Sequence, residues 1–340
     1  MRTITVLSGG HGGAKFIAGL LHGISAGSLP GVSPDVQVTV IANTADDLWI
    51  HGLKVCPDLD TVMYTLGRGL DQERGWGRTD ETWSIKEELE AYDVPNTWFG
   101  LGDRDLATHL VRTQMLEAGY PLSQVTEALC RRWLEPLHGD RVRLLPMTDD
   151  RVETHVAVKD PDLAASPSGL KVVHFQEYWV RLRAGVPAEQ VVFVGLDEAS
   201  PGPGVLDAIT DADLVILPPS NPVVSVGTIL GVPGVREVLR ATRAPIVGVS
   251  PIIGGHHVRG MAEQMLASIG VDATAAGVGL HYGARSAGGV LDGWLVDETD
   301  AGDVAALRTA GLRADAVPLW MSSDEATAAM AAAAIELVTR

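Results

Sequence analysis

The residues best suited to chemistry lie just after the first apolar run, in Ser8-Gly9-Gly10-His11-Gly12-Gly13-Ala14-Lys15. Four glycines at Gly9, Gly10, Gly12 and Gly13 let a backbone approach a ligand closely and turn N–H groups toward an anion. The start of the following helix adds partial positive charge, and Lys15 brings a full one within its first turn. The spacing is neither that of the Walker phosphate loop nor that of the dinucleotide fingerprint, so the reading is a phosphate or pyrophosphate cradle of another kind. A second group is acidic. Asn43-Thr44-Ala45-Asp46-Asp47-Leu48-Trp49 and Cys56-Pro57-Asp58-Leu59-Asp60-Thr61 place four aspartates within fifteen residues. Carboxylates beside a phosphate cradle suit Mg²⁺, which takes one or two of them together with phosphate oxygens; one could instead accept a proton from an attacking hydroxyl.

Two further groups are recognition candidates. Leu101-Gly102-Asp103-Arg104-Asp105 offers Arg104, flanked by two acids, to a phosphate or carboxylate; Asp105 could equally cap a helix, and His109 reads as a packed helix residue. Pro218-Pro219-Ser220-Asn221-Pro222 follows an apolar run and presents an amide, a hydroxyl and backbone groups able to read the edge of a base. Ser250-Pro251-Ile252-Ile253-Gly254-Gly255 repeats the arrangement. Eight of the aromatic residues are Trp, and Trp49, Trp76, Trp83 and Trp98 fall close together in sequence, as a cleft for a flat polycyclic ligand would require.

These residues need elements to carry them. Short apolar runs alternate with helical segments, the pattern of a parallel sheet covered on both faces. Strands are expected at Thr3–Leu7, Val36–Ile41, Val191–Val194, Leu214–Leu217 and Pro245–Val249. Helices are expected at Ala14–His22, Asp105–Glu117, Leu122–Trp133, Val235–Thr242, Met261–Ile269 and Asp324–Thr339. The fold class is α/β, Rossmann-like, mostly parallel, with a helical Trp-rich insertion. Residues 1–60 and 140–340 form the expected core, residues 61–139 the insertion above the sheet, and Asp160–Gly169 an exposed linker.

Composition narrows the class. The 340 residues carry 26 Lys+Arg against 43 Asp+Glu, a formal net charge of −17. That balance argues against a protein that coats nucleic acid or an anionic membrane. Cys56 and Cys130 make neither a disulfide framework nor a zinc pattern. No secretory leader or membrane-spanning run is read, and the expected compartment is the cytoplasm.

Taken in order, Gly-Gly-x-Gly-Gly-Ala-Lys, Asn-Thr-x-Asp-Asp-Leu-Trp, Pro-Asp-Leu-Asp-Thr-Val-x-Tyr, Leu-Gly-Asp-Arg-Asp-x-Ala-Thr-His, His-Phe-Gln-Glu-Tyr, Pro-Ser-Asn-Pro and Ser-Pro-Ile-Ile-Gly-Gly resemble the 2-phospho-L-lactate transferase family of coenzyme F-420 biosynthesis. The blocks run from residue 9 to about 255. His11, Ala45 and Cys56 depart from the residues common there. The resemblance implies transfer of a phospholactyl or phosphoenolpyruvyl group from a guanosine-diphosphate-linked donor to the ribityl hydroxyl of a deazaflavin, 7,8-didemethyl-8-hydroxy-5-deazariboflavin, with GMP leaving. It also implies Mg²⁺ and a homodimer.

Carried onto this chain, the glycine turn with His11, Lys15, Asn43 and Thr44 would hold the pyrophosphate. Asp47 and Asp60 would ligate Mg²⁺, with Asp46 left either to support those ligands or to accept the proton, and Asp46, Asp60 and Arg104 are the expected catalytic residues. Ser220, Asn221 and Pro222 would read guanine, and Arg104 and Trp83 would lie over the deazaflavin. Which acyl group the donor carries stays open; the Lys-poor composition is that of high-GC genomes, with which the resemblance associates the enolpyruvyl form. A non-catalytic nucleotide sensor and a phosphate-loop kinase are the alternatives. The aspartate cluster and Trp-rich insertion speak against the first, and Phe16, where a Walker loop needs Ser or Thr, against the second.

Overall fold

The computed structural model describes residues 1–159, 169–258 and 260–340. The expected linker lies outside the described residues except for Gly169. In chain order the strands are β1 (Thr3–Ser8), β2 (Gln37–Ala42), a hairpin of β3 (Leu48–Ile50) and β4 (Leu53–Val55), β5 (Val142–Pro146), β6 (Glu153–Lys159), β7 (Leu170–His174), β8 (Ala188–Val194), β9 (Leu214–Leu217), β10 (Ile246–Val249), a short hairpin of β11 (Ile252–Ile253) and β12 (His256–His257), β13 (Gly293–Val296) and β14 (Arg313–Ala316). Seven of them form one parallel sheet in the order β14-β13-β10-β9-β1-β2-β5.

Strand runs such as Leu214-Val-Ile-Leu217 are apolar at every position because both faces of the sheet are covered. Alternate residues divide between two cores. Ile4, Val6, Leu214 and Ile216 face helix α1 (His11–Ala26) and the C-terminal helix Asp324–Thr339. Leu7, Val215 and Leu217 face the other side, with Val235 and Leu239. The sheet grows outward in both directions from β1, so neighbouring connections diverge between β1 and β9. A crevice opens at such a switch point beyond the strands' carboxyl ends.

One expected core strand lies elsewhere. Val191–Val194 belongs to β8, which pairs antiparallel with β6 in the three-stranded sheet β7-β6-β8. Val191 and Phe193 pack on the core while Val194 is exposed. A run of four apolar residues does not reveal whether one face or two are covered.

Between β2 and β5 the chain adds the β3–β4 hairpin and helices α2 (Pro57–Leu66), α3 (Ser84–Ala91), α4 (Asp105–Glu117) and α5 (Leu122–Trp133), then one further short turn of helix. Among the described residues no helix is long and apolar enough to cross a membrane.

Candidate active site

A cavity of about 1510 Å³ opens over the carboxyl edge of the sheet. Drug-sized ligand sites occupy roughly 300–1,000 Å³, so there is room for more than one small molecule. The glycine turn forms one wall. No side chain caps the start of α1, and its first turn carries no acid, which leaves the N-terminal N–H groups and their partial charge to an anion. The glycines are demanded by close approach. A Cβ on Gly12 would lie 2.2 Å from the Pro219 carbonyl oxygen, and one on Gly13 would lie 2.0 Å from Ser8 Oγ. The turn after β1 is thereby pressed against the loop after β9, and the Gly9 N–H donates to Ser220 Oγ at 3.2 Å.

The acidic group sits beside this turn. Pro57 starts α2 and Asp58 and Asp60 lie in its first turn, where the helix dipole favours carboxylates. Asp58 accepts a hydrogen bond from Asn43 Nδ2 at 2.9 Å. Burial, reinforced by Asp47, pushes its carboxyl up to about 7. Asp46 is buried, and loss of hydration together with the neighbouring Asp58 holds it well above the usual carboxylate range. Its Oδ1 has no hydrogen-bond partner. Asp46, Asp58 and Asp60 all line the cavity.

Opposite them stands an aromatic wall of Trp76, Trp83, Trp98 and Phe99, with Trp179 and Trp320 further round. Trp76 and Trp83 meet edge to face at 5.9 Å. The Arg74 guanidinium lies over both rings, 5.7 and 5.3 Å from their centroids. His11 Nδ1 faces the Gly75 carbonyl oxygen at 3.1 Å, joining the glycine turn to this wall.

Of the residues singled out from sequence, Gly10, His11, Gly12, Lys15, Asp46, Asp60, Trp83, Ser220 and Asn221 line the cavity, whereas Gly9, Gly13, Asn43, Thr44, Asp47, Arg104 and Pro222 do not. Gly9 and Gly13 pack beneath the turn. Asn43 is committed to the turn, its Oδ1 accepting from Ala45 N–H and Thr228 Oγ1 while its Nδ2 donates to Asp58, so it holds Asp58 at the cavity's edge. Thr44 is buried in the same turn. Asn221 Oδ1 accepts from the Val223 and Val224 N–H groups, which leaves only its NH₂ to donate outward.

Two assignments change. Asp47, expected on a cation, is buried away from the cavity with Lys54 Nζ 3.4 Å from its carboxylate. Its predicted co-ligand Asp60 is held through both oxygens by the Arg112 guanidinium. Of the four aspartates in the two acidic motifs, Asp46 and Asp58 line the cavity without a Lys or Arg ion-pair partner among the described residues. Arg104, expected over the acceptor, is half exposed, 3.9 Å from Asp80. Its flanking acids are engaged elsewhere: Asp103 accepts from the Ser84 and Ile85 N–H groups at the start of α3, and Asp105 accepts from Tyr64 Oη at 2.6 Å.

Sequence reasoning overlooked Arg112 and undervalued His109 and Asp58. The signal was present in α4. Asp105, Thr108, His109 and Arg112, spaced three and four apart, share a helix face that is polar yet buried, while Leu110 and Val111 are exposed. A helix with its amphipathic sense inverted packs a polar network, and here the network reaches the site. Arg112 Nη1 lies 3.1 Å from His109 Nδ1. A guanidinium only donates, so Nδ1 accepts and the ring proton sits on Nε2, 3.4 Å from Asp105 Oδ2.

Fold and site together define a Rossmann-like α/β protein with a large cavity at the switch point of a parallel sheet. The family described as 2-phospho-L-lactate transferase CofD matches residues 4–334, and the chain belongs to that transferase family. Its relatives include the phosphoenolpyruvate transferases of Streptomyces griseus subsp. griseus, 59% identical over 334 residues and 98% of each chain, and of Mycolicibacterium smegmatis, 54% identical over 334 residues and 98% of each chain. A solved UPF0052-family protein from Bacillus halodurans shares the fold at a TM-score of 0.57, with 18% identity over 98% of this chain and 99% of that one.

Proposed function

We propose that this transferase moves a phosphoenolpyruvyl group, or its 2-phospho-L-lactyl counterpart, from a guanosine-diphosphate-linked donor to the ribityl hydroxyl of 7,8-didemethyl-8-hydroxy-5-deazariboflavin. The observation that carries the reading is one cavity bounded by an anion-accepting glycine turn, a row of aspartates and a tryptophan wall. The names of its relatives favour the enolpyruvyl donor. In the reaction the ribityl oxygen bonds to the phosphorus bearing the enolpyruvyl group. The bond from that phosphorus to the bridging oxygen breaks, GMP leaves, and the hydroxyl proton passes to the phosphate of the departing GMP.

The glycine turn and Lys15 would hold the pyrophosphate, the Ser220–Asn221 loop the guanine, and the Trp76–Trp83 wall the flat deazaflavin. Asp46 and Asp58 fit Mg²⁺. They are hard oxygen donors, and Asp46 Oδ1 is buried without a partner. Among the described residues no three His, Cys, Asp or Glu side chains form a metal-holding group, so the donor's phosphate oxygens would have to supply most of the cation's shell. When bound there it would neutralise charge on the leaving pyrophosphate oxygens. The chain's own work is alignment in a preorganised polar site. Incubation with donor and deazaflavin, followed by mass spectrometry, should yield GMP and the phosphodiester in equal amounts. A protein that binds GDP but forms no phosphodiester would be the nucleotide sensor instead.

A further inference from the structure

Arg112 does not line the cavity, yet its guanidinium grips both oxygens of Asp60, which does. Both side chains are buried. The guanidinium is itself held, with His109 Nδ1 at 3.1 Å and the Lys54 carbonyl oxygen accepting from Nη1 at 3.4 Å. Its helix is docked on the same segment, because Thr113 Oγ1 accepts the Lys54 N–H at 2.9 Å. On the neighbouring turns, Tyr64 Oη donates to Asp105 Oδ1 and lies 2.8 Å from Thr108 Oγ1, keying α2 to α4.

A buried ion pair of this kind is weak evidence for stability, since apolar residues of similar volume often serve as well. What a planar fork adds over any other partner is direction: two parallel N–H···O bonds fix the plane of the carboxylate. We infer that Arg112 is a positioning residue, which orients Asp60 so that its remaining lone pairs meet the hydroxyl-bearing chain of the acceptor. The inference rests on the transferase reading given above. It makes α4 a working part of the site: the aspartate stands on α2, but its orientation is set from the helix above.

The test compares steady-state kinetics of the unmodified protein with Arg112→Lys, Asp60→Asn and Asp60→Asn/Arg112→Gln, using GDP binding and thermal melting as controls of folding. Arg112→Lys keeps the charge and loses the fork. It should bind GDP normally and lose about 100-fold in kcat, the scale of a misplacement near 1 Å, with little change in the KM of the donor. Because Arg112 acts through Asp60, the double variant should lose no more kcat than Asp60→Asn alone. The double variant leaves no buried charge unmatched, so a kcat well below that of Asp60→Asn would overturn the inference even where Arg112→Lys does not fold. Wild-type kcat in Arg112→Lys, or losses that multiply in the double variant, would overturn the inference alone. Absence of turnover in the unmodified protein, with GDP still bound, would overturn the transferase reading and this inference with it.

Discussion

Asp46 and Asp58 are carboxylates that burial makes reluctant to carry charge, an effect reinforced by Asp58 at the first and by Asp47 at the second, and such a pair is a site's standing invitation to a cation. Asp58→Asn should therefore cut turnover by about 100-fold or more and weaken the ability of Mg²⁺ to tighten GDP binding, read by titration calorimetry with and without the metal. Equal tightening in the variant would remove Asp58 from the cation. At Gly12 the constraint is steric. A methyl group 2.2 Å from the Pro219 carbonyl oxygen must push the two loops apart, so Gly12→Ala should destabilise the fold by about 1–3 kcal/mol and raise the donor KM. A urea midpoint unchanged from wild type would show that the loops yield more easily than this packing implies.

Helix α3 has no buried residue of its own and depends on Asp103, whose carboxylate accepts from Thr82 Oγ1 and from the Ser84 and Ile85 N–H groups. Those bonds, the one from Thr82 foremost, hold Asp103 below the ordinary carboxylate value of 3.8. A group with a depressed folded-state pKa contributes stability that is present above its unfolded value and lost as the pH falls through the folded one. Amide exchange at Ser84 and Ile85, once corrected for its intrinsic pH dependence, should thus stay slow at neutral pH and accelerate below about pH 4. Asp103→Ala should show the faster exchange already at pH 7 and a higher acceptor KM through Trp83. Protection indifferent to both changes would mean that α3 is held by its aromatic neighbours instead.

At the scale of the molecule, the cavity draws residues from loops after β1, β2 and β9, from α2 and from the aromatic segment between α2 and α4. A ligand binding there couples to global stability. GDP at one hundred times its dissociation constant should stabilise the protein by about 2.7 kcal/mol, seen as a raised denaturant midpoint; no shift would exclude specific binding to the native state. Four of the sheet's seven strands, β1, β2, β9 and β10, were legible in sequence because doubly covered strands are apolar throughout, and the glycine-rich turn announced a close approach; β5, β13 and β14 were not among the expected strands. Helices Asp105–Glu117, Leu122–Trp133 and Asp324–Thr339 were legible to the residue, and the ordered motifs pointed to the family. Only the tertiary structure decided which acids face the ligand. Asp46 and Asp47 are adjacent in sequence, yet one opens on the cavity and the other turns to Lys54. Asp60 and Arg112 are 52 positions apart and meet through a helix-to-helix contact that no local spacing encodes. Side-chain type and period are written in the chain; the direction in which a buried charge points is set by whichever distant partner packing brings to it.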